Sequence, residues 1–304
     1  MNPIIPSFNS KLLLFGEYGL MMDAMALSVP FARFSGSLGF DTNHLYQESS
    51  LELRKFYAYL TTAKGKELHF PFDLECLADD LDNGLYFNSN IPQQYGLGSS
   101  GALVAALFSR YAAPAIPIDN LSADILKVDF AQLESHFHGK SSGLDPLVSF
   151  LNRPLLLDSK KRVQTVPLDL AHTGWSFALI DTHTRGATGP LVQHFIDLFN
   201  STLFETAFCT QFIPANNGCI EALLKNDPSR FFSLLKQLIE FQLEFFGRMI
   251  PSNFHLLISE AVSQQVYIKL LGSGGGGFLL AIAPSEINMN KWADENEIPL
   301  LKVV

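Results

Sequence analysis

The first half of the chain alternates short apolar runs with apolar positions at helical spacing. The apolar runs predict strands at 11–16, at 25–41 with a proline interruption, and at 153–158, with weaker strand candidates at 50–60 and 66–72. Apolar residues three and four positions apart predict helices at 72–81, 100–113 and 120–137. A proline-rich linker separates the last two helices, and a polar stretch at 159–164 predicts a domain boundary.

The second half shows the same two patterns in more regular alternation. Apolar runs predict strands at 175–181, 266–271, 278–282 and 300–304. Helical spacing predicts helices at 190–200, 228–249, 253–264 and 285–295. In the longest of these, one stripe is expected to face the core: Phe232, Leu235, Ile239, Leu243 and Phe246. This alternation favours a sandwich of helices and sheet.

Composition narrows the possible partners and compartments. With 304 residues, 47% of them hydrophobic, the chain can bury a large core and form two lobes. The net charge of −9 argues against a nucleic-acid partner. Three cysteines without a C-x-x-C pair fit a reducing compartment. The N-terminal sequence lacks the pattern of a signal peptide, and no run reaches the length of a membrane span, so we expect a cytoplasmic protein without a membrane partner.

Residues 91–107 place a strand, a glycine loop and an apolar helix in succession. Gly96 and Gly98 allow a sharp turn and a close approach to a ligand. Ser99 or Ser100 is expected to cap the helix. Because helix N-termini attract anions, the segment predicts a phosphate site, with a helix start that binds no ligand as the alternative.

A second glycine loop, GSGGGG at 272–277, lies between two predicted strands. Two such loops in one chain favour the phosphate interpretation. The P-loop pattern is absent, since no lysine follows Gly101.

Two carboxylates flank the glycine turn at Gly139. That turn can bring Glu134 and Asp145 together, although Ser141 or Ser142 is expected to start a new helix between them. Paired carboxylates suit a metal ion with a general base, and a capping aspartate with a surface glutamate is the alternative.

Three basic residues near these motifs admit more than one interpretation. His136 and His138 are expected to pack or to hydrogen-bond, because a third zinc ligand is not evident nearby. Lys11 is either a solvated strand end or a cation with a chemical role.

These stretches together resemble the GHMP kinases, the superfamily of galactokinase, homoserine kinase, mevalonate kinase and phosphomevalonate kinase. PQQYGLGSSGA resembles the motif P-x-x-x-G-L-G-S-S-A-A, with Gly101 where Ala is usual, and GSGGGG resembles G-A-G-G-G-G. KLLLFGEYGL resembles the first motif of mevalonate kinase, with Tyr18 in place of His. The resemblance implies an α+β, two-lobed GHMP kinase fold, with an N-terminal ribosomal-protein-S5-like lobe at 1–158 and a C-terminal ferredoxin-like α/β lobe at 159–304.

The segment from Glu134 to Asp145 resembles E-x-x-x-H-G-x-P-S-G-x-D of mevalonate kinase, with Ser141 where Pro is usual. The resemblance implies ATP and Mg²⁺, with Glu134 and Ser100 holding the metal, Asp145 as the base and Lys11 beside the substrate hydroxyl. It implies nucleotide binding by Gly96, Leu97, Gly98, Ser99, Ser100, Gly272, Gly274, Gly275 and Gly276. It implies substrate binding by Glu17, Tyr18, His138, Arg185 and Thr188, where the last two resemble an R-x-T motif with a spacing one residue longer.

The acceptor that the resemblance implies is mevalonate, phosphorylated at its primary hydroxyl in isoprenoid precursor synthesis. Phosphomevalonate kinases usually carry Asp where this chain has Gly277, whereas G-E-Y at 16–18 is more typical of them. Galactokinase is disfavoured because its N-terminal sugar-binding signature is missing. The alternatives are a phosphomevalonate kinase or another GHMP kinase, a diphosphomevalonate decarboxylase, and a non-catalytic ligand sensor. A homodimer is a further expectation, because dimers are common in relatives.

Overall fold

The computed structural model of the chain describes residues 6–41, 43, 45–62, 67–112, 123–186 and 188–303. They form two compact units, each assembled from separate stretches of sequence. The first unit comprises Met1–Lys11, Val29–Pro92 and Leu97–Arg153, and the second comprises Leu12–Ser28, Gln93–Gly96 and Pro154–Val304. The division into lobes at residues 158 and 159 stays a prediction.

Two long strands contribute residues to both units. Strand β1 spans Ser7–Phe15 and β2 spans Ala26–Phe40, which confirms the strands predicted at 11–16 and 25–41. Strand β2 continues through Pro30 without a break, so the predicted proline interruption is wrong. Its pairing with the antiparallel strand β3 (Leu85–Ser89) starts only at Gly36. Pro30 therefore removes no hydrogen bond from that ladder.

Within its described residues the first unit has five α-helices: α1 Gln47–Leu60, α2 Leu74–Asp82, α3 Ser99–Tyr111, α4 Ala123–His138 and α5 Leu144–Leu151. The strand predicted at 50–60 is wrong, because Leu53, Phe56 and Leu60 are buried along one face of α1. The strand predicted at 66–72 is also wrong for residues 67–72, which contain no strand. The proline-rich linker lies outside the described residues.

Aromatic contacts hold the helices of the first unit together. The rings of Phe108 on α3 and Phe130 on α4 lie 4.8 Å apart, and both side chains are fully buried. Phe56 of α1 stacks on Phe137 of α4 at 5.7 Å. This packing holds the C-terminal half of α3 against the middle of α4, and α1 against the C-terminal end of α4.

The second unit contains two sets of antiparallel strands. Strand β4 (Leu155–Leu157) pairs with the start of β2 and with β5 (Val163–Thr165), so residues 159–164 form the turn and part of a hairpin within this unit. A four-stranded sheet has the order β7-β8-β6-β9. Its strands are β6 Ser176–Asp181, β7 Tyr267–Leu270, β8 Phe278–Ala283 and β9 Leu300–Lys302.

The helices of the second unit include two that the sequence pattern did not predict. The predicted helices are α6 Thr188–Leu198, α9 Pro228–Phe245, α10 His255–Ala261 and α11 Glu286–Glu295. The additional helices are α7 Thr202–Ala207 and α8 Ile213–Leu224, joined by a π-helical turn at Phe208–Phe212. Pro214 and Gly218 act as breaker signals in the sequence, but Pro214 lies in the first turn of α8, where a proline is tolerated. No helix among the described residues is long and apolar enough to cross a membrane.

Candidate active site

The N-terminus of α3 lies in the first unit and has the backbone arrangement that suits an anion. Gly98 is its N-cap, with φ 74° and ψ 42°, and its carbonyl accepts the first helical hydrogen bond from Ala102 at 3.0 Å. The prediction that Ser99 or Ser100 caps the helix is therefore wrong, since both serines belong to its first turn. First-turn N–H groups have no acceptor within their own helix, and the helix dipole adds positive potential there. The position suits a phosphate.

Lys11 and Asp145 form an ion pair next to this helix start. The Lys11 ammonium lies 2.9 Å from Oδ2 of Asp145, and the two side chains are 5% and 31% exposed. The Lys11 N–H also donates to the carbonyl of Leu97 at 3.0 Å, which ties strand β1 to the glycine loop. A Cβ on Gly98 would lie 2.9 Å from Cγ of Lys11, so glycine is required there.

Glu134 is a buried carboxylate whose two oxygens are both hydrogen-bonded by serines. Oε1 accepts from Oγ of Ser100 at 2.9 Å, and Oε2 accepts from Oγ of Ser141. Burial raises the pKa of Glu134 to about 7, the negative charge of Asp145 adds to the increase, and Ser141, Ser100 and Lys11 oppose it. The glycine turn thus brings Glu134 into electrostatic contact with Asp145, although the role of each stays a prediction.

The turn between α4 and α5 ends in a glycine cap. Gly143 (φ 72°) is the N-cap of α5, so the prediction that Ser141 or Ser142 starts this helix is wrong. Instead their hydroxyls accept hydrogen bonds from the backbone N–H groups of Gly143 at 2.9 Å and Leu144 at 3.3 Å. Asp145 consequently lies in the first turn of α5, where the helix dipole favours a negative charge.

The donor set around Glu134 fits a magnesium ion. One carboxylate and a serine hydroxyl are hard oxygen ligands, and Mg²⁺ usually takes few protein ligands and completes its shell with waters and phosphate oxygens. Among the described residues, no group of three or more His, Cys, Asp or Glu side chains could hold a metal ion. Glu134 and Ser100 would hold Mg²⁺ together with a nucleotide, since their side-chain oxygens lie 2.9 Å apart, and this assignment stays a prediction.

The two histidines of α4 differ in what the structure describes. His136 packs against Phe56, with ring centres 5.5 Å apart, and against Tyr59 at 5.0 Å. Burial lowers its pKa. This agrees with the expected packing role. His138, a predicted substrate residue, is the last residue of α4, and its side chain lies outside the described part of the structure.

Glu17 lies in the core of the second unit, which differs from the substrate contact predicted for it. Its carboxylate accepts a hydrogen bond from the ammonium of Lys269, and both side chains are fully buried. Lys269 also donates to the carbonyl of Leu270 at 2.6 Å and lies over the ring of Phe15 at 5.4 Å. A substrate could reach this carboxylate only by breaking a buried ion pair, which is costly.

Tyr18 connects the first motif to the second glycine loop within the second unit. Its hydroxyl donates to the carbonyl of Ser273 at 2.6 Å. Its ring stacks on Phe195 at 4.7 Å and contacts Phe246 at 5.3 Å, which leaves the residue 7% exposed. Burial raises the pKa of the phenol, so it stays protonated and can donate. These contacts hold the side chain in place, and its hydroxyl bonds to the second glycine loop.

The second glycine loop lies against residues 93–96 of the first loop. A Cβ on Gly272 would be 3.8 Å from Cα of Gly96, and one on Gly277 would be 2.8 Å from Cα of Tyr95. Gly277 therefore has a steric reason to be glycine. Side chains longer than hydrogen do not fit there without a shift of backbone.

The turn after β6 carries the last two predicted substrate residues. Arg185 is exposed, and its backbone lies against the glycine loop, since a Cβ on Gly276 would be 2.7 Å from its carbonyl carbon. Thr188, also exposed, has its Oγ1 3.0 Å from Oγ of Ser273. Both residues therefore border the same loop.

The predicted site residues divide between the two units. The first unit contains Lys11, Leu97, Gly98, Ser99, Ser100, Glu134, His138 and Asp145. The second contains Glu17, Tyr18, Gly96, Arg185, Thr188, Gly272, Gly274, Gly275 and Gly276. Sequence reasoning missed the roles of Ser141, Ser273 and Lys269. The available signals were a hydroxyl where the resembling motif has proline and a lone lysine inside the apolar strand VYIKLL.

Comparison with known proteins agrees with the motifs. Residues 58–153 match the family model of the GHMP kinases N terminal domain. No curated protein sequence matches the chain.

Solved structures with similar folds span nearly the whole chain. L. major mevalonate kinase in complex with R-mevalonate is 17% identical, with a TM-score of 0.67 over 98% of this chain and 94% of that one. Streptococcus pneumoniae phosphomevalonate kinase in complex with phosphomevalonate and AMPPNP is 16% identical, with a TM-score of 0.64 over 98% of each chain. Lactococcus lactis galactokinase complexed with galactose is 13% identical, with a TM-score of 0.65 over 99% and 92%. At these identities the likeness shows the fold, and it confirms the predicted α+β GHMP kinase fold.

Proposed function

We propose that this chain, which carries the N-terminal domain of the GHMP kinases and has their fold, is an ATP-dependent kinase that phosphorylates the primary hydroxyl of mevalonate to 5-phosphomevalonate. The observation that carries the proposal is the ion pair between Lys11 and Asp145 beside the N-terminus of α3. A non-catalytic sensor would have no need to keep a buried lysine against a part-exposed aspartate at an anion-binding helix end.

Asp145 is the proposed general base. Its carboxylate accepts the proton of the acceptor hydroxyl as that oxygen forms its bond to the γ-phosphorus and the bond to the ADP oxygen breaks. The ammonium of Lys11, 2.9 Å from Oδ2, stabilises the alkoxide character that develops on the attacking oxygen. Because Lys11 is held by the strand and by Leu97, this charge is in place before the acceptor binds.

The N-terminus of α3 is the proposed phosphate cradle. Gly98 gives the phosphates access to the backbone, and the first-turn N–H groups donate to their oxygens. Mg²⁺ bound by Glu134 and Ser100 would neutralise charge on the transferred group. The nucleotide-binding roles of Gly96, Leu97, Ser99, Gly272, Gly274, Gly275 and Gly276 belong to the same proposal.

The choice of mevalonate rests on the segment from Glu134 to Asp145, which resembles the mevalonate kinase motif. Gly277 gives this choice less support than its sequence suggested, because Tyr95 already excludes a side chain there. Arg185, exposed after β6, is the proposed contact for the acceptor carboxylate, and Thr188 is a further proposed substrate residue. A cytoplasmic location and a homodimer are part of the same proposal.

A panel assay tests the reaction class. ADP release from Mg-ATP is measured with mevalonate, phosphomevalonate, diphosphomevalonate, homoserine and galactose, and CO₂ release is recorded in parallel. We expect ADP release with mevalonate and no CO₂ with any compound. CO₂ release with diphosphomevalonate would identify a decarboxylase, and background ADP release with all five would contradict a kinase that acts on these acceptors.

A further inference from the structure

The hydroxyl of Ser141 bridges the proposed metal carboxylate and the start of α5. It donates to Oε2 of Glu134 and accepts from the N–H of Gly143 at 2.9 Å. We propose that Ser141 is a positioning residue that occupies Oε2 of Glu134, leaves Oε1 beside Ser100 as the oxygen for a cation, and so selects Mg²⁺ over larger cations. The inference rests on the proposed function, because it takes Glu134 and Ser100 as the magnesium ligands.

The direction of the Ser141 proton follows from its two partners. The Gly143 N–H can only donate, so it occupies a lone pair of the Ser141 oxygen. The Ser141 O–H is then available for a second partner, and an ionised carboxylate can only accept. Ser141 therefore donates to Oε2 of Glu134, and the two contacts reinforce each other rather than compete.

This arrangement makes the two oxygens of Glu134 different. Oε2 is held by Ser141, whereas Oε1 is next to Ser100, the second proposed ligand. Glu134 is 4% exposed, so it has little room to rotate and exchange the two oxygens. A cation at Ser100 therefore meets a carboxylate that offers one oxygen. Mg²⁺ accepts such ligation in an octahedral shell, whereas Ca²⁺ readily takes both oxygens of a carboxylate.

The same hydroxyl also ties Glu134 to the proposed base. Gly143, its donor, is the N-cap of the helix that carries Asp145, and a Cβ on Gly143 would lie 2.1 Å from the carbonyl oxygen of Lys127 on α4. This close backbone contact keeps Gly143 in place against α4. Ser141 thus fixes the metal carboxylate relative to the helix start from which Asp145 projects.

This device is specific to the present chain rather than to the motif it resembles. The mevalonate kinase motif has proline where Ser141 stands, and a proline side chain has no donor for Glu134. Outer partners of metal-binding side chains orient them, and their loss typically reduces metal affinity about 10–100-fold. The expected effect is therefore on affinity and on ion preference.

The test compares ion binding in four forms of the full chain. Wild type, Ser141→Ala, Ser141→Pro and Ser141→Thr are titrated with Mg²⁺ and with Ca²⁺ in the presence of ADP, by calorimetry. We expect Ser141→Ala and Ser141→Pro to weaken Mg²⁺ binding about 10–100-fold while Ca²⁺ binding changes much less. Ser141→Thr keeps the hydroxyl and should retain the wild-type ratio of the two affinities.

Ser149→Ala is the matched control. It removes a serine hydroxyl from α5, and that buried hydroxyl has no hydrogen-bond partner in the described part of the chain. Its Mg²⁺ to Ca²⁺ ratio should equal that of wild type. If Ser141→Ala does not fold, the ratio of Mg²⁺ to Ca²⁺ affinity is taken from Ser141→Pro, which also lacks the hydroxyl and has the residue that the motif usually has.

Two results would overturn the inference. One is an unchanged Mg²⁺ to Ca²⁺ ratio in Ser141→Ala or Ser141→Pro, and the other is a loss in Ser141→Thr equal to that in Ser141→Ala. Failure of the kinase proposal is distinguishable, because it would show as absent ADP release by the wild type with every acceptor, whereas the ion titrations need no acceptor.

Discussion

The ammonium of Lys11 lies 2.9 Å from Oδ2 of Asp145, in an ion pair whose lysine is buried and whose aspartate is partly exposed to solvent. Lys11 is 5% exposed and Asp145 is 31% exposed, so an incoming molecule meets the carboxylate first. A carboxylate that is reachable and a cation that is fixed behind it form the arrangement expected of a base with an electrostatic partner.

Replacement of that carboxylate should remove turnover while nucleotide binding persists. Asp145→Asn keeps the size of the side chain but cannot accept a proton at the same oxygen, and loss of a general base usually costs about 10²–10⁴-fold in kcat. Steady-state kcat and the Kd for ATP are the measurements, with the exposed Asp294→Asn on α11 as a control. Retention of more than about a tenth of wild-type kcat would remove Asp145 from the role of base.

The metal assignment predicts a change in the magnesium requirement rather than unfolding. Glu134→Gln and Ser100→Ala each weaken one oxygen ligand, so half-maximal activity should need at least about tenfold more Mg²⁺. Magnesium titrations at saturating ATP measure this, and thermal unfolding serves as the check on folding. Titration curves identical to wild type in both variants would take these residues out of the metal site.

Gly101 stands where the resembling motif usually has alanine, and the structure gives a reason. A Cβ on Gly101 would lie 2.8 Å from the backbone carbonyl carbon of Asp145. Gly101→Ala should improve helix propensity by about 0.5–1 kcal/mol but introduce an overpacking cost of about 1–3 kcal/mol. We therefore expect a lower Tm, because α3 and α5 must move apart. We also expect a lower kcat, because the added Cβ presses on the backbone of Asp145, the proposed base.

Gly189 provides the matched control for this substitution. It lies in the first turn of α6, and a Cβ there would meet nothing within 4 Å. Gly189→Ala should leave the stability unchanged or raise it. A Gly101→Ala variant as stable and active as wild type would show that α3 and α5 can separate at no cost.

Parts of this site could be predicted from sequence because they depend on local backbone requirements. The glycine loop before α3 could be predicted because its glycines are followed by an apolar helical pattern. The turn at Gly139 likewise predicts that Glu134 and Asp145 approach each other. The capping predictions failed because glycines at 98 and 143 adopt the left-handed conformation and leave the neighbouring serines to bond elsewhere. Those alternative partners are not encoded in local sequence.

Other features could not be predicted because they depend on residues far apart in the sequence, or because the spacing of apolar residues fits both a strand and a helix. In the segment that forms α1, Leu51 and Leu53 alternate as in a strand, whereas Leu53, Phe56 and Leu60 follow the helical spacing, and Leu51 is 55% exposed. Glu17 and Lys269 are 252 positions apart, and each alone is a lone charge next to apolar residues. Only the folded unit shows that the two charges satisfy each other.

Tyr18 should affect the nucleotide rather than the acceptor, because its hydroxyl holds the carbonyl of Ser273 in the second glycine loop. Tyr18→Phe keeps the ring between Phe195 and Phe246 but removes a hydrogen bond worth about 0.5–1.5 kcal/mol. We expect a lower Tm and a raised KM for ATP, with the KM for the acceptor unchanged. The reverse pattern would restore Tyr18 as an acceptor-binding residue. Tyr267→Phe, on strand β7 before the second glycine loop, is the control and should leave the KM for ATP unchanged.

The buried pair of Glu17 and Lys269 predicts strong coupling between the two residues. Removal of one charge leaves the other buried without its partner, which typically costs about 3–5 kcal/mol. Glu17→Gln and Lys269→Met should each destabilise strongly, and the double variant should recover a large part of the loss. Urea unfolding of the four proteins gives the coupling energy. Additive losses in the double variant would mean that the pair is not a unit.

The most direct measurement is kcat/KM of the wild-type chain for mevalonate and for phosphomevalonate, each at saturating Mg-ATP. We expect a clear preference for mevalonate and a product that carries its phosphate on the primary hydroxyl. A preference for phosphomevalonate, or ADP release with neither acceptor above background, would contradict the proposed function.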